Sequence, residues 1–268
     1  MVKDFLKGIF ERYMKHDVAQ TAGQIAYFGF LSLFPFIVYM NFIIHQVHLS
    51  TGDMLSVLTP LLPQEIANFI AAYAEYISVE NSPWIMAIGI FSTVYLLSAV
   101  IRSMELAVGK AYGIKNRRTF LKSIMVSLIS VICIGLMLVA AAMFIILSRG
   151  PVKHILDFLG LADMVGIVLI LKWAFVIFLM ILVFSLIYKL IPNKKTTFSS
   201  VVPGTIFAVI GFIVLSAAFG LYVSFAMGAA SIYGYIGTVF VALMWIYSIG
   251  TIFILGAEIN GYFDSKGK

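Results

Sequence analysis

Residues 21–43, TAGQIAYFGFLSLFPFIVYMNFI, are long and apolar enough to cross a bilayer, yet they carry Gln24 near the start and Pro35 in the middle. A hydrocarbon layer roughly 30 Å thick needs about 20 apolar residues in helical form. This stretch meets that length, so the fold question becomes how many others do.

Six runs do, at 22–44, 84–106, 122–147, 165–190, 203–226 and 234–257. Hydrophobic residues make up 62% of the 268-residue chain and charged residues 11%, a balance that a soluble core of this size cannot hide. None of the runs alternates with the period-two pattern of an outer-membrane barrel strand. Helices are the remaining way to satisfy every backbone group in lipid. The expected fold class is an all-α polytopic membrane protein, with residues 1–268 forming a single six-helix transmembrane domain.

Two further helices flank these spans. The N-terminal MVKDFLKGIFERYMKHDVAQ is charged and amphipathic, with Phe5, Ile9, Phe10 and Tyr13 along one side, which predicts an interfacial lead-in helix rather than a cleaved signal. In the long segment after the first span, PQEIANFIAAYAEYISVE sets Ile66, Phe69, Ile70, Tyr73 and Ile77 at helical spacing. Pro63 suits a first helical position, and Gln64, Glu65, Asn68 and Glu75 are polar, so an amphipathic helix resting at the outer membrane face is expected.

The basic residues set the orientation. Four precede the first span (Lys3, Lys7, Arg12, Lys15), six follow the second (from Arg102 to Lys122), three follow the fourth and two end the chain, so 15 of 18 fall on one side of a six-span bundle. The positive-inside rule then puts both termini in the cytoplasm, at a plasma (inner) membrane. The net charge of +6 reads as topology and contact with membrane lipids, not as a nucleic-acid surface. Cys133 lies alone in an apolar span and has no partner for an internal disulfide.

No Walker-type phosphate loop, nucleophile elbow or His/Cys set at metal-ligand spacing is present, so no cofactor and no enzyme chemistry are expected. His45 and His48 have i,i+3 spacing but no nearby carboxylate. Polar groups inside the spans carry more information, because burying one in lipid is costly unless it meets a partner or a cavity. Lys172 lies about 10 Å deep if its span starts near Val165, as an anion site would; if the span starts later it snorkels beside Trp173. Gln24 and Tyr27 share a face with Gln20, giving either an interhelical hydrogen bond or a polar cavity wall. Pro35 removes a backbone donor and predicts a kink. Arg102 and Glu105, i,i+3 neighbours, are expected to join Glu258 in an ion-pair cluster at the cytoplasmic end, the alternative being a proton-coupled gate.

AYFGFLSLFPF (26–36) together with YGYIGTVFVALMWIYSIGTIFILGAEIN (233–260) resembles the YihY/virulence factor BrkB family of bacterial inner-membrane proteins, once labelled ribonuclease BN. The matching positions in the second stretch include Tyr233, Gly234, Gly237, Trp245, Tyr247, Gly256, Glu258 and Asn260, and LIPN at 190–193 and Pro203-Gly204 agree as well. Thr205, where the pattern expects alanine, departs from it. The resemblance implies six inner-membrane helices and no defined substrate. RNA cleavage would need metal carboxylates or an acid/base pair, which these residues do not supply. Two functional readings stand. The bundle binds or moves an amphipathic, lipid-like small molecule, or it is a scaffold organising envelope or partner proteins. Stripes of small residues serve internal packing and a homo-oligomer equally well.

Overall fold

The computed structural model describes residues 2–46, 64–77, 83–114, 165–192, 196–230 and 234–266, with isolated positions 122, 125, 126 and 129. Seven helices are present among them: α1 (Val2–Lys15), α2 (Val18–Gln46), α3 (Gln64–Ile77), α4 (Pro83–Ala111), α5 (Val165–Leu190), α6 (Phe198–Ala230) and α7 (Gly234–Lys266). No strand occurs among the described residues. Five of the helices contain stretches long and apolar enough to cross a membrane: Val18–Val38, Ala87–Ala111, Trp173–Leu190, Phe198–Tyr222 and Gly237–Ser265. The run expected at 122–147 lies outside the described residues apart from the isolated positions.

The helices begin and end for local reasons. Asp17 links α1 to α2 with φ +55°, a conformation that aspartate tolerates better than most residues. Its carbonyl accepts both the Thr21 N–H (3.0 Å) and the Thr21 hydroxyl (3.1 Å), which opens α2. At the end of α4, Gly113 (φ +66°) donates to the Lys110 carbonyl and Ile114 donates to the Gly109 carbonyl, the paired bonds of a Schellman stop. This stop carries α4 to Ala111, five residues past the run that hydropathy marks.

α2 packs against α4 and α7, α7 also packs along α6, and α6 along α5. Where both termini meet, the end called terminal here, Val18, Ala22, Val108, Tyr188, Ile191, Val201 and Phe253 form one buried cluster. Towards the opposite, distal end Phe30, Ile37, Phe219 and Trp245 form a second, on which α3 sits through Ile66 and Ile70. The Phe34 ring meets Phe69 and Tyr73 edge-on, with centroids 6.1 and 5.3 Å apart. Asn68 and Glu75 of α3 are exposed, while Ile66 and Ile70 of the same helix are buried against the bundle. Lipid tails are as apolar as leucine, so the helices of such a bundle are held by close packing and interhelical hydrogen bonds more than by hydrophobic transfer.

Candidate functional site

Those close contacts concentrate at the terminal end, in the last turns of α7. Residues four apart share a helical face, and here two faces do different work. Gly256 and Asn260 look towards α5 and α6, while Glu258, Gly261, Tyr262 and Ser265 look towards α1 and α4. On the first face the backbones of α6 and α7 touch: a Cβ on Gly204 would collide with the Gly256 carbonyl, and one on Gly256 with the Tyr188 hydroxyl. That hydroxyl donates to the Phe253 carbonyl at 2.7 Å. The Gly204 N–H, directly after Pro203, donates to Asn260 Oδ1, also at 2.7 Å. Thr205, the departure from the expected alanine, donates its hydroxyl to Val201 O and accepts from Ser185 at 3.3 Å, tying α6 to α5.

The second face holds the charge. Glu258 has no exposed surface. Its Oε2 lies 3.4 Å from a guanidinium nitrogen of Arg12, and its Oε1 lies 2.7 Å from His16 Nδ1. The same Arg12 nitrogen donates to the Ala111 carbonyl at 3.0 Å, filling one of the acceptors that the end of α4 leaves open. The other nitrogen donates to Ser265 Oγ, and the guanidinium stands 5.9 Å over the Tyr262 ring. A Cβ on Gly261 would strike the Ala111 carbonyl, so α7 and α4 also meet backbone to backbone. Lys110 closes the ring, donating to the His16 carbonyl at 3.0 Å and pairing with Asp17 at 3.1 Å. Burial, with the nearby Asp264 charge, pushes the Tyr112 phenol well above its ordinary range, with the Asn260 side chain beside it. A buried carboxylate is tolerable only when paired and hydrogen-bonded, and this one is paired from α1.

The ion-pair cluster expected from Arg102, Glu105 and Glu258 is therefore composed differently: the partners of Glu258 are Arg12 and His16. The cause is the length of α4. Because the helix runs to Ala111, Arg102 stands nine residues before its end, about 13 Å at 1.5 Å per residue.

Gln24 and Tyr27 also stand elsewhere than expected. The core side of α2 is made by Ala22, Ile25, Ala26 and Phe30, while Gln20 and Gln24 are exposed and Tyr27 is 58% exposed. Among the described residues neither makes an interhelical hydrogen bond; with Gln20 they form an exposed polar stripe on α2. α2 continues through Pro35 to Gln46, and Gly89 of α4 fits against Val38 and the Pro35 carbonyl. Lys172 is in α5, but its side chain lies outside the described residues, as does Tyr233. Gly234 begins α7, Gly237 and Tyr247 are partly buried, and Trp245 is buried with its ring edge-on to Phe212 at 6.1 Å.

Sequence reasoning missed Arg12 and His16. The signal was available: Arg12 lies on the same arc of α1 as Phe5, Ile9 and Tyr13, a charge inside an otherwise apolar face, which marks a buried partner. Among the described residues no group of three or more His, Cys, Asp or Glu could hold a metal ion. The site as built is an interhelical lock.

Residues 9–267 match the family model described as virulence factor BrkB. The chain is 29% identical over 265 residues to the ribonuclease-like protein YfkH of Bacillus subtilis (strain 168), covering 98% of this chain and 96% of that one. It is 26% identical to a UPF0761 membrane protein of Pseudoalteromonas translucida (strain TAC 125), covering 93% and 82%. It is 23% identical to one from Nitrosospira multiformis (strain ATCC 25196 / NCIMB 11849 / C 71), of which it spans 61%. No solved structure matches the chain.

Proposed function

Because this chain belongs to the virulence factor BrkB family and is an integral membrane protein, we propose that it binds or moves an amphipathic, lipid-like molecule at the bacterial inner membrane. The observation that carries this reading is the outward stripe of Gln20, Gln24 and Tyr27 on α2. From the start of α2 these residues descend about 3, 9 and 13 Å at 1.5 Å per residue. Hydrogen-bonding groups facing outward at that depth are costly against acyl chains. They suit a molecule whose polar head lies at the interface and whose tail follows the helix.

The same reading takes six spans with both termini in the cytoplasm. α4 ends at the terminal end, where Ala111 meets Arg12, and α5 also ends there, where Tyr188 meets Phe253, so α5 begins at the distal end. These directions support the proposed sixth span, and the basic residues gather on the terminal side. No catalysis is part of the proposal; the ribonuclease-like name belongs to the relative.

Native mass spectrometry of the purified protein beside Gln24→Leu and Tyr27→Phe tests the reading. A bound species of defined mass, retained by the wild type and lost from either variant, supports it. A lipid held equally by all three refutes the stripe as its site. The rival reading, a membrane scaffold, is favoured by the lock on Glu258, which joins α1, α4 and α7 and the turn before α2 without leaving its charged groups free for a ligand.

A further inference from the structure

α1 has two apolar faces, and among the described residues only one of them is packed on the bundle. Phe5, Ile9 and Tyr13 turn inward with Arg12. The Phe5 ring meets Tyr262 edge-on at 5.2 Å and stacks on Phe263 at 6.0 Å. Gly8 lies against the same tyrosine, where a Cβ would stand 3.0 Å from its ring. With Arg12 fixed on Glu258 and Ala111, the helix cannot roll. Its other apolar stripe, Leu6, Phe10 and Met14 at i, i+4 and i+8, is left outward at 61%, 66% and 64% exposure.

We propose that this second stripe is a docking surface for an anionic lipid leaflet, so that α1 is a wedge between the bundle's end and the bilayer. Two features choose the leaflet as the occupant. α2, a membrane span, begins three residues after α1 ends, which holds the helix at the mouth of the bundle. Lys3, Lys7 and Lys15 are exposed on the same helix and outnumber Asp4 and Glu11, of which Glu11 lies 4.0 Å from Lys7. Lys189, over the Phe198 ring, adds a cationic side chain at the same end of the bundle. A helix with lysines beside an apolar stripe at a membrane surface gains from tail burial and from headgroup charge together. The stripe also differs from the one that amphipathicity alone marks: Phe10 belongs to it, whereas Phe5, Ile9 and Tyr13 do not.

The test places single cysteines at 6, 10, 11 and 14 in the full-length Cys133→Ser chain, spin-labels them, and reconstitutes the protein in nanodiscs of phosphatidylcholine with and without phosphatidylglycerol. Power saturation with oxygen and a water-soluble nickel chelate reports depth. Labels at 6, 10 and 14 should favour oxygen and the label at 11, on the exposed polar side of the helix, should favour nickel. The label at 10 should move deeper with phosphatidylglycerol, and Lys3→Glu with Lys7→Glu and Lys15→Glu should abolish that shift. Nickel access at 6, 10 and 14 equal to that at 11, or shielding from both reagents as in a protein contact, overturns the proposal. Equal depth in the two lipid mixtures overturns the anionic partner. Thermal unfolding of each labelled chain, unchanged from the parent, shows that the readout concerns the surface and not the fold.

Discussion

His16 Nδ1 and Glu258 Oε1 lie 2.7 Å apart across 242 residues of chain, joining the turn before the first span to the last turns of the final one. Arg12 completes the pairing, so the one fully buried carboxylate of the described bundle is balanced from α1. The closure of the terminal end thus depends on a helix outside the spans.

Removing Arg12 should expose that dependence. In Arg12→Ala the buried carboxylate keeps only His16, and the Ala111 carbonyl loses its donor; breaking a buried pair costs about 3–5 kcal/mol, and Arg12 is partly exposed, so about 3 kcal/mol is expected. Adding Glu258→Gln should return part of that loss. A double-mutant cycle in detergent unfolding measures it, and strictly additive effects would show that the two groups do not interact.

Glycines in α6 and α7 should divide sharply. Gly204→Ala drives a methyl into the Gly256 carbonyl and Asn260, a backbone clash that repacking cannot relieve. A loss of about 3 kcal/mol or failure to fold is expected, at or above the upper end of overpacking costs. Gly220, with nothing within 4 Å of its added Cβ, should accept alanine with a gain of about 0.5–1 kcal/mol from helix propensity. Melting temperatures of the two variants side by side check the contrast.

Asn260→Leu removes the acceptor of the Gly204 N–H, an interhelical bond in a buried setting. An unmade buried hydrogen bond costs about 1–3 kcal/mol. Tyr188→Phe, which loses only the bond to Phe253 O, should cost about 1 kcal/mol. If the two rank the other way in thermal unfolding, the Pro203-Gly204 contact is not what holds α6 to α7.

Much of this architecture is legible in the chain, because spans announce themselves by length and α1 and α3 by their periodicity. The site is less so. Hydropathy places the end of α4 at 106, since Lys110 and the polar residues after it are invisible as helix; the Schellman stop at Gly113 ends it at Ala111 instead, and the partners of Glu258 come from Arg12 and His16. Gln24 reads as an inward group because burial in lipid is costly, yet the small residues Ala22 and Ala26 claim the inner face and turn it outward. The family positions Gly256 and Asn260 were recognisable as a pattern, but their reason, the approach of Gly204 across 56 residues, is a tertiary fact that no local spacing encodes.

Photocrosslinking from position 24 in native membranes reports what occupies the exposed stripe on α2. With benzoylphenylalanine at Gln24, and at Phe91 on the exposed face of α4 as a control, an adduct with one lipid-like molecule of defined mass is expected at 24 and mixed bulk lipid at 91. Identical bulk-lipid adducts at both positions, or a protein partner captured at 24, would contradict the proposed binding of a lipid-like molecule there.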